Sequence, residues 1–127
     1  MKLLIRSIAF LSLFVMSGMQ MQAQSESAKP AIEKSAPVEL SFEVKGVCGN
    51  CKKRIENAAL IKGVKYADWD KQKQMLTIVY KPDKVEPLQV HESVAAAGYD
   101  TSAVKGSDKA YEDLPGCCQY RDGIEVH

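Results

Sequence analysis

Val38–Cys51 reads VELSFEVKGVCGNC, an alternating pattern that runs directly into a loop with two cysteines. In its first half, apolar residues at every second position alternate with polar ones, which is the period of a strand with one buried face. Gly46 interrupts this pattern. Residues that favour helices follow from Cys51 to Ile61, and Gly63 ends that segment. The sequence therefore predicts a strand, a cysteine loop and a helix of about three turns.

The rest of the predicted domain contains three more strands and one more helix. Val64–Asp70 and Met75–Lys81 flank a polar turn and predict a hairpin. Val85–Ala97 predicts a second helix, and Tyr99–Val104 predicts a short last strand. The order βαββαβ predicts an α+β, ferredoxin-like sandwich, in which both helices cover one face of a four-stranded antiparallel sheet. Trp69 is expected to pack against this sheet.

Length and composition indicate one small domain with appendages. The chain has 127 residues, of which 46% are hydrophobic and 26% are charged, so a large multidomain enzyme and wholesale disorder are both excluded. The 17 basic and 16 acidic residues give a formal charge of +1, which offers no electrostatic footprint for nucleic acid. The four cysteines are the most informative feature of the composition.

Residues 1–23 have the layout of a secretory signal peptide. Lys2 and Arg6 precede an apolar run that ends in a short polar stretch. The alternative is a membrane anchor, but the run is shorter than the roughly 20 residues that a bilayer span requires. Residues 24–37 are small and polar with two prolines, and they predict a flexible linker. We therefore expect a periplasmic or secreted protein with no membrane span after removal of the leader.

The loop Gly46–Cys51 carries the chemistry that the sequence predicts. Two residues between Cys48 and Cys51 let both sulfurs converge on one ion. Cys51 lies at a helix start, where the dipole favours a thiolate, and Lys52–Arg54 add positive charge beside it. Thiolates select soft ions such as Cu(I) and Zn(II). Because structural zinc normally takes four protein ligands, two sulfurs favour a linear ion, Cu(I) or Hg(II).

The same loop, together with several landmarks, resembles the heavy-metal-associated domain. The landmarks are the βαββαβ order, Gly63-Val64 after the first helix and Ala97-Gly98-Tyr99 after the second. The resemblance covers Val38 to Ser107. This family includes copper chaperones, the amino-terminal modules of copper-transporting ATPases and periplasmic mercury-binding proteins.

The resemblance implies roles for particular residues. Cys48 and Cys51 match the family's metal ligands, and Tyr99 matches the residue that lies near the metal loop in bacterial members. Val47 departs from the pattern, because it stands alone between Gly46 and the first cysteine where members commonly have two residues. The family implies capture and transfer of a metal, not catalysis, and a metal-transporting membrane protein as a partner.

Two other interpretations of the cysteine pair remain open. An oxidising compartment favours an inert disulfide between Cys48 and Cys51. A thioredoxin-like exchange site also places two cysteines at a helix start. Against the exchange site stand the early position of the pair, the absence of a tryptophan just before it, and the strand-strand-helix-strand order that follows.

Residues 108–127 form a cysteine-containing carboxy-terminal tail. Gly106–Asp113 is a polar connection, and the part from Leu114 onward is predicted to be irregular. Cys117 and Cys118 are adjacent, and neighbouring cysteines bond to each other only in a strained ring. They could add soft ligands to the first pair, form a redox latch with it, or capture metal separately; additional metal ligation is the leading interpretation. His91 is expected at the surface or core edge, and His127 is a weaker candidate ligand.

Taken together, these patterns predict a periplasmic or secreted soft-metal-binding protein. The leading hypothesis is a carrier or scavenger of Cu(I) that uses Cys48 and Cys51, with Cys117 and Cys118 as additional candidate ligands. The alternatives are a scavenger of Hg(II) or a thiol-disulfide redox protein, and Zn(II) is an alternative metal.

Overall fold

The computed structural model describes residues 35–127, so the predicted signal peptide and most of the predicted linker lie outside the described residues. The elements are β1 Val38–Glu43, α1 Gly49–Ala59, β2 Val64–Asp70, β3 Met75–Tyr80, α2 Pro87–Ala96 and α3 Asp108–Glu112, followed by 3-10 turns at Gly116–Cys118 and Tyr120–Asp122. Within residues 35–127, no helix has the length and apolar character that crossing a membrane would need.

The sheet has three antiparallel strands in the order β1-β3-β2. The central strand β3 pairs along its whole length with β1, from Val38 opposite Tyr80 to Glu43 opposite Met75. The β2–β3 hairpin is the predicted one, with a register shift between Val64 and Tyr66. Helix α1 packs against both β2 and α2. That both helices cover one face stays a prediction.

The predicted fourth strand at Tyr99–Val104 is not confirmed within the described residues, where the sheet has three strands. This segment forms a single bridge, between Val44 and Thr101. The Thr101 hydroxyl accepts hydrogen bonds from the amides of Ala103 and Val104, at 3.3 and 3.0 Å, and so turns the chain away from the sheet. A threonine that satisfies the following amides competes with ladder pairing, which explains why the strand stops after one pair.

Helix α1 begins two residues earlier than the sequence predicted. Cys48 is its N-cap: the backbone there is extended, and the sulfur accepts a hydrogen bond from the Cys51 amide at 3.4 Å. This is the position that serine or aspartate usually takes. The cysteine loop and the helix start are therefore a single structural unit, and the sulfur of Cys48 is fixed by the helix that it caps.

Trp69 packs against the start of this loop and supports it. Its side chain is 1% exposed, and the indole nitrogen donates a hydrogen bond to the Val44 carbonyl at 3.0 Å. A Cβ atom on Gly46 would lie 2.9 Å from the indole ring. The chain thus crosses directly over the indole just before the cysteines, which requires glycine at position 46 and confirms that Trp69 packs in the core.

The carboxy-terminal segment, residues 108–127, has a short helix in the predicted polar connection, and after Asp113 it is irregular, as predicted, apart from two 3-10 turns. It contains α3 and two 3-10 turns, and Tyr111, Leu114 and Cys118 within it are buried. Burial of these side chains stabilises the folded segment, and this offsets the entropic cost of ordering it.

Candidate metal centre

Four sulfur atoms converge beside the start of α1. The sulfur of Cys48 lies 3.2 Å from that of Cys51 and 3.4 Å from that of Cys118, while the Cys117 and Cys118 sulfurs are 4.0 Å apart. Cys48, Cys51 and Cys118 are buried, Cys117 is exposed, and all four are free thiols. The fold therefore brings together the four cysteines that the sequence nominated as candidate ligands.

The two histidines have other partners. His91 is 7% exposed, its Nδ1 lies 2.8 Å from the Thr101 hydroxyl, and its ring packs 3.7 Å from that of Phe42. Burial lowers the pKa of His91. The Nδ1 of His127 lies 2.9 Å from the Glu125 carbonyl oxygen. Among residues 35–127, the side chains grouped closely enough to hold an ion include neither histidine.

The cysteines differ in their tendency to ionise. Burial acts to raise the pKa of the Cys51 thiol, but hydrogen bonds from the Val47 amide and from Cys48 outweigh it, so this pKa lies below its ordinary value. Burial raises the pKa of the Cys118 thiol, which also hydrogen-bonds to its sulfur neighbours. Cys51 therefore forms a thiolate more readily than Cys118 does.

Lys52 does not supply the positive charge that the sequence suggested. Its ammonium group pairs with Glu56 and lies 2.6 Å from a carboxylate oxygen of Asp68, and it donates to the Trp69 carbonyl at 3.0 Å. The two carboxylates neutralise this lysine. The lowered pKa of Cys51 consequently arises from local hydrogen bonds and the helix start.

Tyr99 lies beside the sulfurs, as the family resemblance implied. Its side chain is fully buried, and among the described residues its hydroxyl has no nitrogen or oxygen partner. Burial raises the pKa of Tyr99, and the neighbouring Cys51 and Cys118 raise it further. A neutral phenol therefore faces the cluster.

An ion pair fixes the tail to the loop that carries Tyr99. Arg121 donates two hydrogen bonds to the Asp100 carboxylate, at 3.1 and 2.6 Å, and a third to Asp108 at 2.9 Å. Its guanidinium also lies 4.4 Å from the centre of the Tyr111 ring. Burial acts to raise the pKa of Asp100, but hydrogen bonds from Arg121 and the Gly106 amide outweigh it and lower the pKa.

Tyr120 makes a second attachment. Its hydroxyl donates to the Gly98 carbonyl and accepts from the Asp100 amide, both at 2.8 Å, while its ring stacks on that of Tyr99 at 5.8 Å. Burial raises the pKa of Tyr120 to about 12. Gly98 has a φ of +98°, and a Cβ there would meet the Ala110 backbone at 2.9 Å. The tail thus docks closely on the Gly98–Asp100 turn.

Sequence reasoning missed Asp100, Tyr120 and Arg121. The available signal was the spacing of Tyr111, Leu114 and Tyr120 in an otherwise polar segment, which indicates a buried face. Nothing in that spacing identifies the Gly98–Asp100 turn as its partner, because the contact joins residues about 20 positions apart by packing and not by periodicity.

Replacing Arg121 with alanine is expected to loosen the tail. The change removes a bidentate charged pair and leaves Asp100 partly buried without its cation, so the free energy of unfolding should fall by about 1–3 kcal/mol. Urea unfolding measures this loss, and faster alkylation of the buried Cys118 reports the opening of the tail. The control is Lys109→Ala, which removes only an exposed pair with Asp113 and should change stability by less than about 0.5 kcal/mol. Equal effects of the two changes would contradict this anchoring role.

The same ion pair predicts a dependence on acid. Because folding lowers the pKa of Asp100, its contribution is complete above the ordinary carboxyl value of 3.8 and is lost as the pH falls through the lower, folded-state pKa. The difference in the free energy of unfolding between the natural chain and Arg121→Ala should therefore become smaller as the pH falls below the folded-state pKa of Asp100.

Comparison with known proteins identifies a matching family and several similar structures. The model of the family described as "Heavy-metal-associated domain" matches residues 41–100. The CopZ metallochaperone is 30% identical, over 50% of this chain and 98% of its own, with a TM-score of 0.49. A copper binding domain from a P-type ATPase is 22% identical, over 53% of this chain and 92% of its own, with a TM-score of 0.50.

A further similar structure comes from Bacillus subtilis. It is the N-terminal domain of a potential copper-translocating P-type ATPase in the Cu(I)-loaded state, 26% identical over 52% of this chain and 85% of its own, with a TM-score of 0.49. None of the curated proteins compared with the chain matches it significantly. The family match over residues 41–100 and the 30% identity to a metallochaperone that is covered almost completely lead to one conclusion. The chain belongs to the heavy-metal-associated domain family.

Proposed function

We propose that the protein binds Cu(I) reversibly through Cys48 and Cys51 and carries or scavenges it outside the cytoplasm. The observation that carries this proposal is the pair of buried sulfurs, 3.2 Å apart, at the start of α1. One of them has a lowered pKa, so a thiolate forms readily. Thiolates in an apolar, partly enclosed site favour soft ions over hard ones.

The choice of Cu(I) over Zn(II) rests on ligand number. Zinc in closed protein sites almost always takes four ligands around one ion, whereas the mutually close candidate ligands among residues 35–127 form a set of three cysteines. The related structures point the same way, because one is a metallochaperone, one is a copper binding domain, and one was solved in a Cu(I)-loaded state. Hg(II) is also satisfied by two sulfurs and is the alternative cargo.

The proposed setting and partner rest on separate observations. The leader at residues 1–23 supports export to the periplasm or secretion. Two of the similar structures are domains of P-type ATPases, which supports a metal-transporting membrane protein as the donor or acceptor. Reversible capture and transfer need no catalytic group, so we propose no enzymatic activity.

A competition titration tests the proposal. Fully reduced, full-length protein is titrated anaerobically with Cu(I) in the presence of bicinchoninate, a chromophoric Cu(I) chelator. We expect the protein to withdraw Cu(I) from the chelator, because two or more thiolates are softer ligands than its aromatic nitrogens. A parallel titration with Zn(II) should show weaker binding.

The titration also distinguishes metal binding from the redox alternative. Sulfurs at 3.2 Å are close enough to form a disulfide after a small movement. A protein that leaves Cu(I) with the chelator, yet cycles between dithiol and disulfide in glutathione buffers, would contradict the metal proposal and support thiol-disulfide exchange.

A further inference from the structure

The Cys48 sulfur lies close to each of the other three sulfurs. It is 3.2 Å from that of Cys51 and 3.4 Å from that of Cys118. The sulfurs of Cys48, Cys117 and Cys118 all lie within 4.8 Å of one another. The Cys51 thiol also hydrogen-bonds to Cys118, but it is not a member of this group of three. The cluster therefore contains a pair and a triad, and the Cys48 sulfur belongs to both.

The spacing of the triad suits a three-coordinate ion. With a metal–sulfur bond of about 2.3 Å, three sulfurs around one ion in a plane lie about 4.0 Å apart, and two in a linear arrangement lie about 4.6 Å apart. Cys117 and Cys118 are separated by 4.0 Å, and Cys48 and Cys118 by 3.4 Å. The separation of 3.2 Å between the Cys48 and Cys51 sulfurs differs more from the distance of about 4.6 Å that a linear ion requires. The triad thus needs the smaller rearrangement to hold an ion.

The segment that presents the two tail sulfurs is held at several points. The Cys118 amide donates to the Pro115 carbonyl at 2.7 Å, which closes the 3-10 turn. The Asn50 side-chain amide, in the first turn of α1, donates to the Cys117 sulfur at 3.8 Å. Arg121, three residues after Cys118, is paired with Asp100. Ordered presentation of a sulfur reduces the entropy that metal binding would otherwise cost.

We propose that Cys48, Cys117 and Cys118 form a second soft-metal site, which shares the Cys48 sulfur with the Cys48–Cys51 pair. The site takes Cu(I) or another thiophilic ion through three thiolates, and it is open to solvent at the exposed Cys117. Each thiol releases its proton to solvent as its sulfur binds, and the oxidation state of the metal does not change. The proposal rests on the proposed function, because it concerns the same class of metal.

Because the Cys48 sulfur belongs to both groups, losing Cys48 should affect metal affinity more than losing Cys51. Loss of Cys51 leaves the Cys48–Cys117–Cys118 triad intact, whereas loss of Cys48 removes a ligand from both groups. In a protein that uses only the loop pair, the two losses would be equivalent. The proposal therefore predicts an asymmetry that a simple two-cysteine site does not show.

The test compares Cys48→Ser with Cys51→Ser in two backgrounds of the full-length chain. In the natural background, Cys51→Ser should weaken Cu(I) affinity by less than about tenfold, and Cys48→Ser should weaken it at least about tenfold more. In a Cys117→Ala/Cys118→Ala background, the two serine variants should lose affinity equally. Alanine suits the buried position 118, and serine can still cap α1 at position 48, so the fold is retained; circular dichroism verifies this for each variant.

Affinities come from competition with bicinchoninate, with Cu(I) itself as the probe. Asymmetry in the natural background that disappears in the alanine background supports the second site. Equal losses for Cys48→Ser and Cys51→Ser in both backgrounds, with tight binding by the unsubstituted chain, would overturn the second site and leave the proposed function standing. Failure of the unsubstituted chain to bind Cu(I) would overturn both.

Discussion

Replacing Cys48 and Cys51 together with serine is expected to abolish tight Cu(I) and Hg(II) binding. A serine hydroxyl is hard and remains protonated at neutral pH, so it is a poor ligand for soft ions. The double change leaves only the adjacent Cys117 and Cys118. We expect affinity to fall by at least about 100-fold, which corresponds to about 2.7 kcal/mol. Competition with bicinchoninate, under anaerobic conditions, measures the loss.

The fold should survive this double substitution. The serine hydroxyl at position 48 can accept the hydrogen bond from the amide at position 51 that the Cys48 sulfur accepts now, and serine is a preferred N-cap residue. An unchanged far-ultraviolet circular dichroism spectrum is the control. Affinity equal to that of the natural chain in a folded double variant would contradict the assignment of these two cysteines as ligands.

Replacing Trp69 with alanine is expected to destabilise the fold by about 3–5 kcal/mol, the usual cost of truncating a large buried aromatic side chain. The indole is 1% exposed and supports Gly46, the residue that leads into the cysteine loop. A cavity beneath this loop should also make Cys51, which is now fully buried, accessible to alkylation. Urea unfolding and the rate of alkylation with iodoacetamide provide the two readouts.

Trp69→Phe is the matched control for this change. Phenylalanine keeps most of the ring but loses the hydrogen bond from the indole nitrogen to the Val44 carbonyl. We expect a smaller loss of stability, about 1–3 kcal/mol, from the unsatisfied carbonyl and the reduced volume. An alanine variant no less stable than the phenylalanine variant would show that the indole does not support the loop.

The first half of the domain was predictable because its sequence signals are local. Alternation in β1, the glycine at position 46 and the run of helix formers each report on neighbours a few residues away. The N-cap role of Cys48 was missed because cysteine rarely takes that position, and its sulfur was considered only as a ligand. The helix therefore starts earlier than propensity alone suggests.

The last strand and the tail were harder to predict for a different physical reason. Thr101 has high strand propensity, yet its hydroxyl satisfies two following amides and ends the pairing. The attachment of Arg121 to Asp100 depends on tertiary packing over 21 residues of sequence. All four cysteines could be identified as candidate ligands from their residue type, but only the fold shows that the Cys48 sulfur lies close to those of both Cys51 and Cys118.

X-ray absorption at the copper edge of the Cu(I)-loaded, full-length protein measures directly which atoms bind the metal. We expect a first coordination shell made of sulfur alone, at about 2.3 Å, because the candidate ligands are thiolates. A shell of nitrogen or oxygen neighbours, with no sulfur at that distance, would contradict it.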